Sequence, residues 1–252
     1  MTMVGSSSHA ITIFSGRFGS GKTEAALNYA LLLARSPAPS WLDPASVMRD
    51  RSSEDIGQGN RVVLIDLDIV TPYFRSREMA DRMKELKVNV VAPSIIGQHL
   101  DMPAITPQIL GAIEQPSRPV VLDVGGDQQG ARALGQFSAA IRRRGYTMYF
   151  VVNPYRPFTS TPEGLANSIA EIEASARLQV TSLVSNPNLI GETTARAIID
   201  GHAQIEAFAR DLGMPIAFVC LERHWHEVLG PNHFAQPTLV LDRHFVMSWE
   251  TE

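Results

Sequence analysis

Residues 16–23 read Gly-Arg-Phe-Gly-Ser-Gly-Lys-Thr and fit G-x-x-x-x-G-K-[ST], with an apolar run before them and an apolar helical pattern after them. No other feature constrains the chain as strongly. Glycine lets the backbone take positive φ and come close to an anion. Successive N–H groups, backed by the positive end of a helix starting near Lys22, form a nest for phosphate oxygens. Lys22 carries a charge to those oxygens, and the Thr23 hydroxyl suits Mg2+. The expected nucleotide contacts here are Gly16, Arg17, Phe18, Gly19, Ser20, Gly21, Lys22, Thr23 and Glu24.

The rest of the chain supplies a matching scaffold. Near-continuous apolar runs at 10–16, 61–68, 88–94, 118–126, 146–154, 179–187 and 214–222 read as strands buried on both faces of a sheet. Helical patterns lie between them at 22–35, 76–87, 106–114, 129–144, 161–178 and 192–212. This alternation predicts a single α/β domain over residues 1–252, three-layered, with a mostly parallel central sheet flanked by helices and right-handed crossovers. Residues 238–246 suit an additional edge strand. Residues 36–60, rich in Pro, Ser and Gly, interrupt the first helix-to-strand connection and read as an inserted surface loop, or as a partner or lid segment anchored by Trp41 and Leu42.

A phosphate loop needs a second carboxylate for its Mg2+ shell. Ligands gather where strands of an open α/β sheet end, and aspartates stand at two such ends. "LIDLD" carries Asp66 and Asp68; "VVLDVGGD" carries Asp123 and Asp127. An aspartate ending a buried strand is costly unless something satisfies it. The expected metal ligands are Thr23, Asp66 and Asp123, and the expected catalytic residues are Lys22, Asp66, Asp123 and Arg17.

Composition removes several function classes. The formal net charge is -4, which argues against coating nucleic acid through bulk positive charge. The one dense basic run, Arg142-Arg143-Arg144, reads as a solvated helix C-terminus. The only cysteine, Cys220, sits in an apolar run and reads as a buried hydrophobe, so neither an internal disulfide nor a Cys-x-x-Cys site is expected. The N-terminus lacks signal-peptide character, and no apolar stretch is long enough for a membrane span, so a cytoplasmic protein is expected. "ERHWHE" at 222–227 has metal-like His and Glu spacing but no clear third ligand, and reads as a solvated loop.

The phosphate loop followed by "IDLD" and "LDVGGD" resembles the P-loop ATPases of the CobQ/CobB/MinD/ParA nucleotide-binding group, the SIMIBI class. The resemblance runs over roughly residues 10–222. It implies that Asp66 orients the attacking water or the Mg2+ shell, that Asp123 holds Mg2+ through water, and that Gly126 senses the γ-phosphate. It also implies that "LVSNPNL" brings Asn186 and Pro187 to the base. The group carries a second lysine after the first glycine, which reaches across a dimer; this chain has Arg17 there. Arginine binds phosphate bidentately, so Arg17 stands as a finger in cis or in trans, or as a solvent-facing loop residue.

Four segments leave strand ends and are expected to border one crevice: 68–78, with Tyr73, Phe74, Arg75 and Arg77; 96–104; 127–137; and 151–164. ATP and Mg2+ are the expected cofactors. The first function reading is an ATPase used as a nucleotide-dependent switch, acting through homodimerisation or docking to a protein partner, with no membrane or nucleic-acid partner. The alternative is an ATP-dependent small-molecule kinase or ligase similar to dethiobiotin synthetase, with acceptor groups around Arg75, Gln98 and Asp127.

Overall fold

The computed structural model describes residues 11–35, 62–68, 77–91, 107–115 and 118–243. The insertion at 36–60, with Trp41 and Leu42, lies outside them. So do Tyr73, Phe74, Arg75 and the 96–104 segment with Gln98.

The strands are β1 (Ile11–Ser15), β2 (Val62–Leu67), β3 (Val88–Val91), β4 (Val120–Val124), β5 (Thr147–Val152), β6 (Ser182–Ser185), β7 (Ile216–Glu222) and β8 (Thr238–Leu241). They form one eight-stranded sheet in the order β3-β2-β4-β1-β5-β6-β7-β8, and every pairing is parallel. The expected edge strand is β8. A fully parallel sheet needs both faces covered. Side chains alternate accordingly: Ile11, Ile13, Val63, Ile65, Leu122 and Phe150 enter one core, while Phe14, Leu64, Val121, Tyr149 and Val151 enter the other.

The helices are α1 (Lys22–Ala34), α2 (Arg77–Glu85), α3 (Pro107–Glu114), α4 (Gln128–Gly135), α5 (Ser138–Arg144), α6 (Pro162–Ala176), α7 (Ala195–Leu212) and α8 (Arg223–Leu229). α1 is buried along most of its length, packing Leu27, Tyr29 and Leu31 into the second core. Behind the phosphate loop, Phe14 meets Tyr29 and Tyr149 edge-on with ring centroids 5.3 and 5.4 Å apart. These rings anchor the strand and helix that hold the loop between them.

Four expectations are corrected. The single helix expected at 129–144 is two helices. At the break, Gly135 lies so close to α6 that a Cβ there would stand 2.6 Å from the Ser175 carbonyl oxygen. The helix expected from 192 begins at Ala195, where the Thr194 side chain accepts from the Ala197 N–H. The loop expected at 222–227 falls largely in α8, whose Trp225 and Leu229 pack against Ile198, Val219 and Leu221. The arginine run is structural as well as solvated: Arg144 is partly buried and donates to the carbonyls of Ala112, Ile113 and Arg118, closing the end of α3. Such side-chain donors satisfy carbonyls that a helix end leaves unpaired.

Candidate functional site

The loop between β1 and α1 is built on left-handed backbone. Gly19 and Gly21 have φ of 74° and 82°, and Gly16 has φ of 150°. Side chains are excluded for steric reasons too. A Cβ on Gly16 would stand 2.6 Å from the Val151 carbonyl oxygen, and one on Gly21 would stand 2.2 Å from Asn186 Nδ2. Inside the loop, Ser20 N–H donates to the Arg17 carbonyl at 3.1 Å.

The start of α1 differs from the other long helices. The N-termini of α4, α6 and α7 are capped by the side chains of Asp127, Thr161 and Thr194. α1 follows Gly21 with no side-chain cap. Its first N–H groups, with the helix dipole behind them, are therefore available to an anion.

Below the loop lies a buried charge cluster. Lys22 Nζ donates to Asp68 Oδ2 at 3.3 Å, with both side chains almost fully buried. The Asp68 N–H donates to Asp66 Oδ1 at 2.8 Å. Asp66 and Asp123 are register partners on the adjacent strands β2 and β4, so their carboxylates emerge side by side at the strand ends. Asp123 is completely buried, and no hydrogen bond of good geometry reaches either of its carboxylate oxygens. Burial raises its pKa from the ordinary 3.8 to about 6, against the opposing pull of Lys22 and the nearby Thr23 hydroxyl, with Asp68 adding to the rise.

This donor set fits a Mg2+–phosphate group. Two orphaned carboxylate oxygens and a threonine hydroxyl converge beside an uncapped helix start. Among the described residues no group of three or more His, Cys, Asp or Glu side chains could by itself hold a metal ion. Mg2+ keeps waters and phosphate oxygens in its shell and needs only one or two protein carboxylates.

The other expected residues fall as follows. Gly126 lies against the phosphate loop; a Cβ there would stand 2.6 Å from the Phe18 N and 2.9 Å from the Arg17 carbonyl carbon. Phe18 is exposed at the loop tip. Asp127 caps α4 by accepting from the Gly130 N–H at 2.9 Å. Asn186 is buried, and its amide donates to the Ser20 carbonyl at 2.7 Å, so here it braces the loop. Pro187 packs against α7, where a Cβ on Gly201 would stand 2.7 Å from its Cβ. Arg17 turns away from the loop: its Nε donates to Ser168 Oγ at 2.9 Å, its terminal nitrogen pairs with Glu171, and its guanidinium lies 5.3 Å over the Phe158 ring. Cys220 is buried, as expected, and burial pushes its thiol pKa up.

Two residues of the cluster were not singled out at their true weight by sequence. Asp68 pairs with Lys22. Arg156, on the segment after β5, donates from Nε to the Gly19 carbonyl at 3.1 Å. The "IDLD" pattern contains the signal for the first; nothing local in "NPYRPFT" marks the second.

No family model and no curated protein sequence matches the chain. Among solved structures, it is similar to chloroplast FtsY from Physcomitrella patens at 14% identity and a TM-score of 0.46, over 83% of this chain and 57% of that one. It is also similar to FtsY from Mycoplasma mycoides at 15% identity and a TM-score of 0.40, over 82% of this chain and 58% of that one. The chain thus spans little more than half the length of either. At these distances the likeness carries no argument about the site, whose reading stands on its own geometry.

Proposed function

We propose that the protein is a Mg-ATP-binding P-loop ATPase of the CobQ/CobB/MinD/ParA kind, used as a nucleotide-dependent switch. The observation that carries this is the pairing of Lys22 with Asp68 beneath an uncapped helix start, next to the orphaned carboxylate of Asp123. Arriving phosphates take the N–H groups of residues 16–24 and draw Lys22 away from Asp68. Thr23 and Asp123 would hold the metal, with Asp66 beside them. Bound Mg2+ neutralises phosphate charge. Phosphoryl transfer asks the protein chiefly for positioning and charge compensation. The Asp68–Lys22 pair and the Gly126 backbone on the loop couple the phosphate to β2 and β4, and so to the segments that follow them.

The alternative reading as a small-molecule kinase or ligase is weakened at one acceptor residue. The Asp127 carboxylate is engaged in capping α4.

The test is titration with fluorescent ATP and GTP, with and without Mg2+, followed by light scattering on size-exclusion chromatography with a non-hydrolysable analogue. Mg2+-dependent binding that Lys22→Ala abolishes, with a nucleotide-driven change of mass or partner capture, is the expected result. Equal affinity in Lys22→Ala would refute the site. Tight binding with no change of assembly, and turnover only with an added metabolite, would replace the switch by the kinase or ligase.

A further inference from the structure

We propose that Arg156 is the arginine that meets the transferring phosphate, acting in cis from the segment after β5; this rests on the nucleotide reading above. Two arginines stand at the phosphate loop, and their surroundings differ. Arg17 is directed to α6, where Glu171 neutralises it and Ser168 and Phe158 fix its plane. Arg156 has no carboxylate partner among the described residues. Its one side-chain hydrogen bond among them runs from Nε to the Gly19 carbonyl. The guanidinium lies against the Gly19 backbone, where an added Cβ would stand 2.9 Å from Nε and 3.1 Å from Cζ. With Nε engaged, the terminal N–H groups are left for an anion on the loop.

The segment that presents Arg156 is braced. Asn153 is buried at the end of β5, accepts from the Tyr155 N–H at 3.1 Å and donates to the Asn188 carbonyl at 2.7 Å. The Thr159 hydroxyl and the Arg156 N–H both donate to the Asn153 carbonyl, at 2.6 and 3.1 Å. The Tyr155 hydroxyl donates to the Ala197 carbonyl at 2.5 Å. Pro154 and Pro157 flank the turn. Fixed donors of this kind stabilise developing charge without reorganising during the reaction.

Charge is also divided across the loop. β1 lies between β4 and β5. On the β4 side stand Asp66, Asp68 and Asp123, suited to a metal. On the β5 side, residues 153–161 contain no carboxylate, and Arg156 is their only cation. A phosphate chain on the loop would therefore lie between a metal on one flank and a guanidinium on the other.

In the step assigned, a water oxygen bonds to the γ-phosphorus while its bond to the bridging oxygen breaks. The electron pair leaves on the nucleoside diphosphate, and both water protons end on the released phosphate as dihydrogen phosphate, which then loses one to solvent. Arg156 donates to the oxygens on which that charge grows.

The experiment compares wild type, Arg156→Ala and Arg156→Lys in single-turnover ATP hydrolysis and in binding of a non-hydrolysable ATP analogue, with guanidinium chloride added at low millimolar concentration to Arg156→Ala. The expected result is a fall in turnover of about 100-fold or more for Arg156→Ala, as for loss of one fixed charge-stabilising donor. Its analogue affinity should stay within about 5-fold, Arg156→Lys should recover part of the rate, and guanidinium should restore part to Arg156→Ala. Turnover of Arg156→Ala within about 3-fold of wild type would overturn the assignment. So would loss of binding and turnover together with no guanidinium rescue, because Arg156 would then only brace Gly19. Failure of the underlying reading looks different: wild type itself would not bind Mg-nucleotide, or Lys22→Ala would bind as wild type does.

Discussion

Asp123→Asn should make the nucleotide-free protein more stable while removing its response to Mg-nucleotide. Burial raises the Asp123 pKa from 3.8 to about 6, so holding the carboxylate ionised in the folded protein costs about 3 kcal/mol at about 1.4 kcal/mol per pKa unit. Asparagine removes that charge at nearly the same volume. Its amide brings donors that also need partners, and an unsatisfied buried amide costs about 1–3 kcal/mol. The net expectation is a gain of up to about 2 kcal/mol at pH 7.5, or up to several degrees in Tm for a chain of this size.

The sign follows from linkage. Below pH 3.8 the carboxyl is protonated in both folded and unfolded chains and contributes nothing. Between 3.8 and about 6 the folded state holds the proton more tightly, so wild-type stability falls as pH rises; above about 6 the whole penalty is present. The lead of Asp123→Asn over wild type should therefore grow across that window and level off above it. The assay is urea denaturation at a series of pH values from 4 to 7.5 in EDTA, then thermal melting with Mg2+ and nucleotide. A variant less stable than wild type at pH 7.5, or a lead that does not change with pH, would refute the account of Asp123 as a buried charge whose desolvation outweighs the help of Lys22 and Thr23. Retained Mg2+-dependent stabilisation by nucleotide would refute its role at the metal.

Two further outcomes follow from the geometry. Gly21→Ala places a methyl against Asn186 Nδ2 in a backbone with φ of 82°, and should cost about 2 kcal/mol and most nucleotide affinity. In an Asn186→Ala background the steric part should vanish, so additive costs in a double-mutant cycle would show that the two do not touch. Cys220 should stay unreactive to a thiol reagent until the protein unfolds, since it is buried and its thiol pKa is raised; labelling at the native rate of an exposed thiol would contradict its burial.

Much of the scaffold could be read from local pattern. Strands buried on both faces need continuous apolar runs, and those runs mark each strand observed. The left-handed turns at Gly19 and Gly21 are equally local, because glycine takes such turns without the steric cost a side chain brings. The misreadings share a cause: they depended on groups far apart in the chain. The break after α4 comes from contact between Gly135 and the α6 backbone. α8 is held by Trp225 and Leu229 against Ile198 on α7, which the polar look of "ERHWHE" hides. The contact of Asn186 is non-local in the same way: its amide donates to the Ser20 carbonyl, 166 positions earlier in the chain. Arg17 and Arg156 are indistinguishable as letters; only the fold puts Glu171 beside one and the Gly19 carbonyl beside the other.

The site also explains why stability and function are opposed here. An ordinary core would place a hydrogen-bonded or apolar group where Asp123 stands, and would turn Lys22 to solvent. Instead β4 ends in a carboxylate with two orphaned oxygens, and a buried lysine is balanced by Asp68. A phosphate that takes over Lys22 weakens its pairing with Asp68, and a cation at Asp123 offsets the desolvation cost that raises its pKa. A cation beside Asp123 also offsets the loss of Lys22 to the phosphate, so each ligand improves the charge balance that the other meets. The nucleotide and its metal should therefore bind with positive coupling: each should tighten the other by the same factor. Separate titrations of Mg2+ with nucleotide present and absent, and of nucleotide with Mg2+ present and absent, measure both factors. Independent binding would mean that the two halves of the cluster do not share their charges.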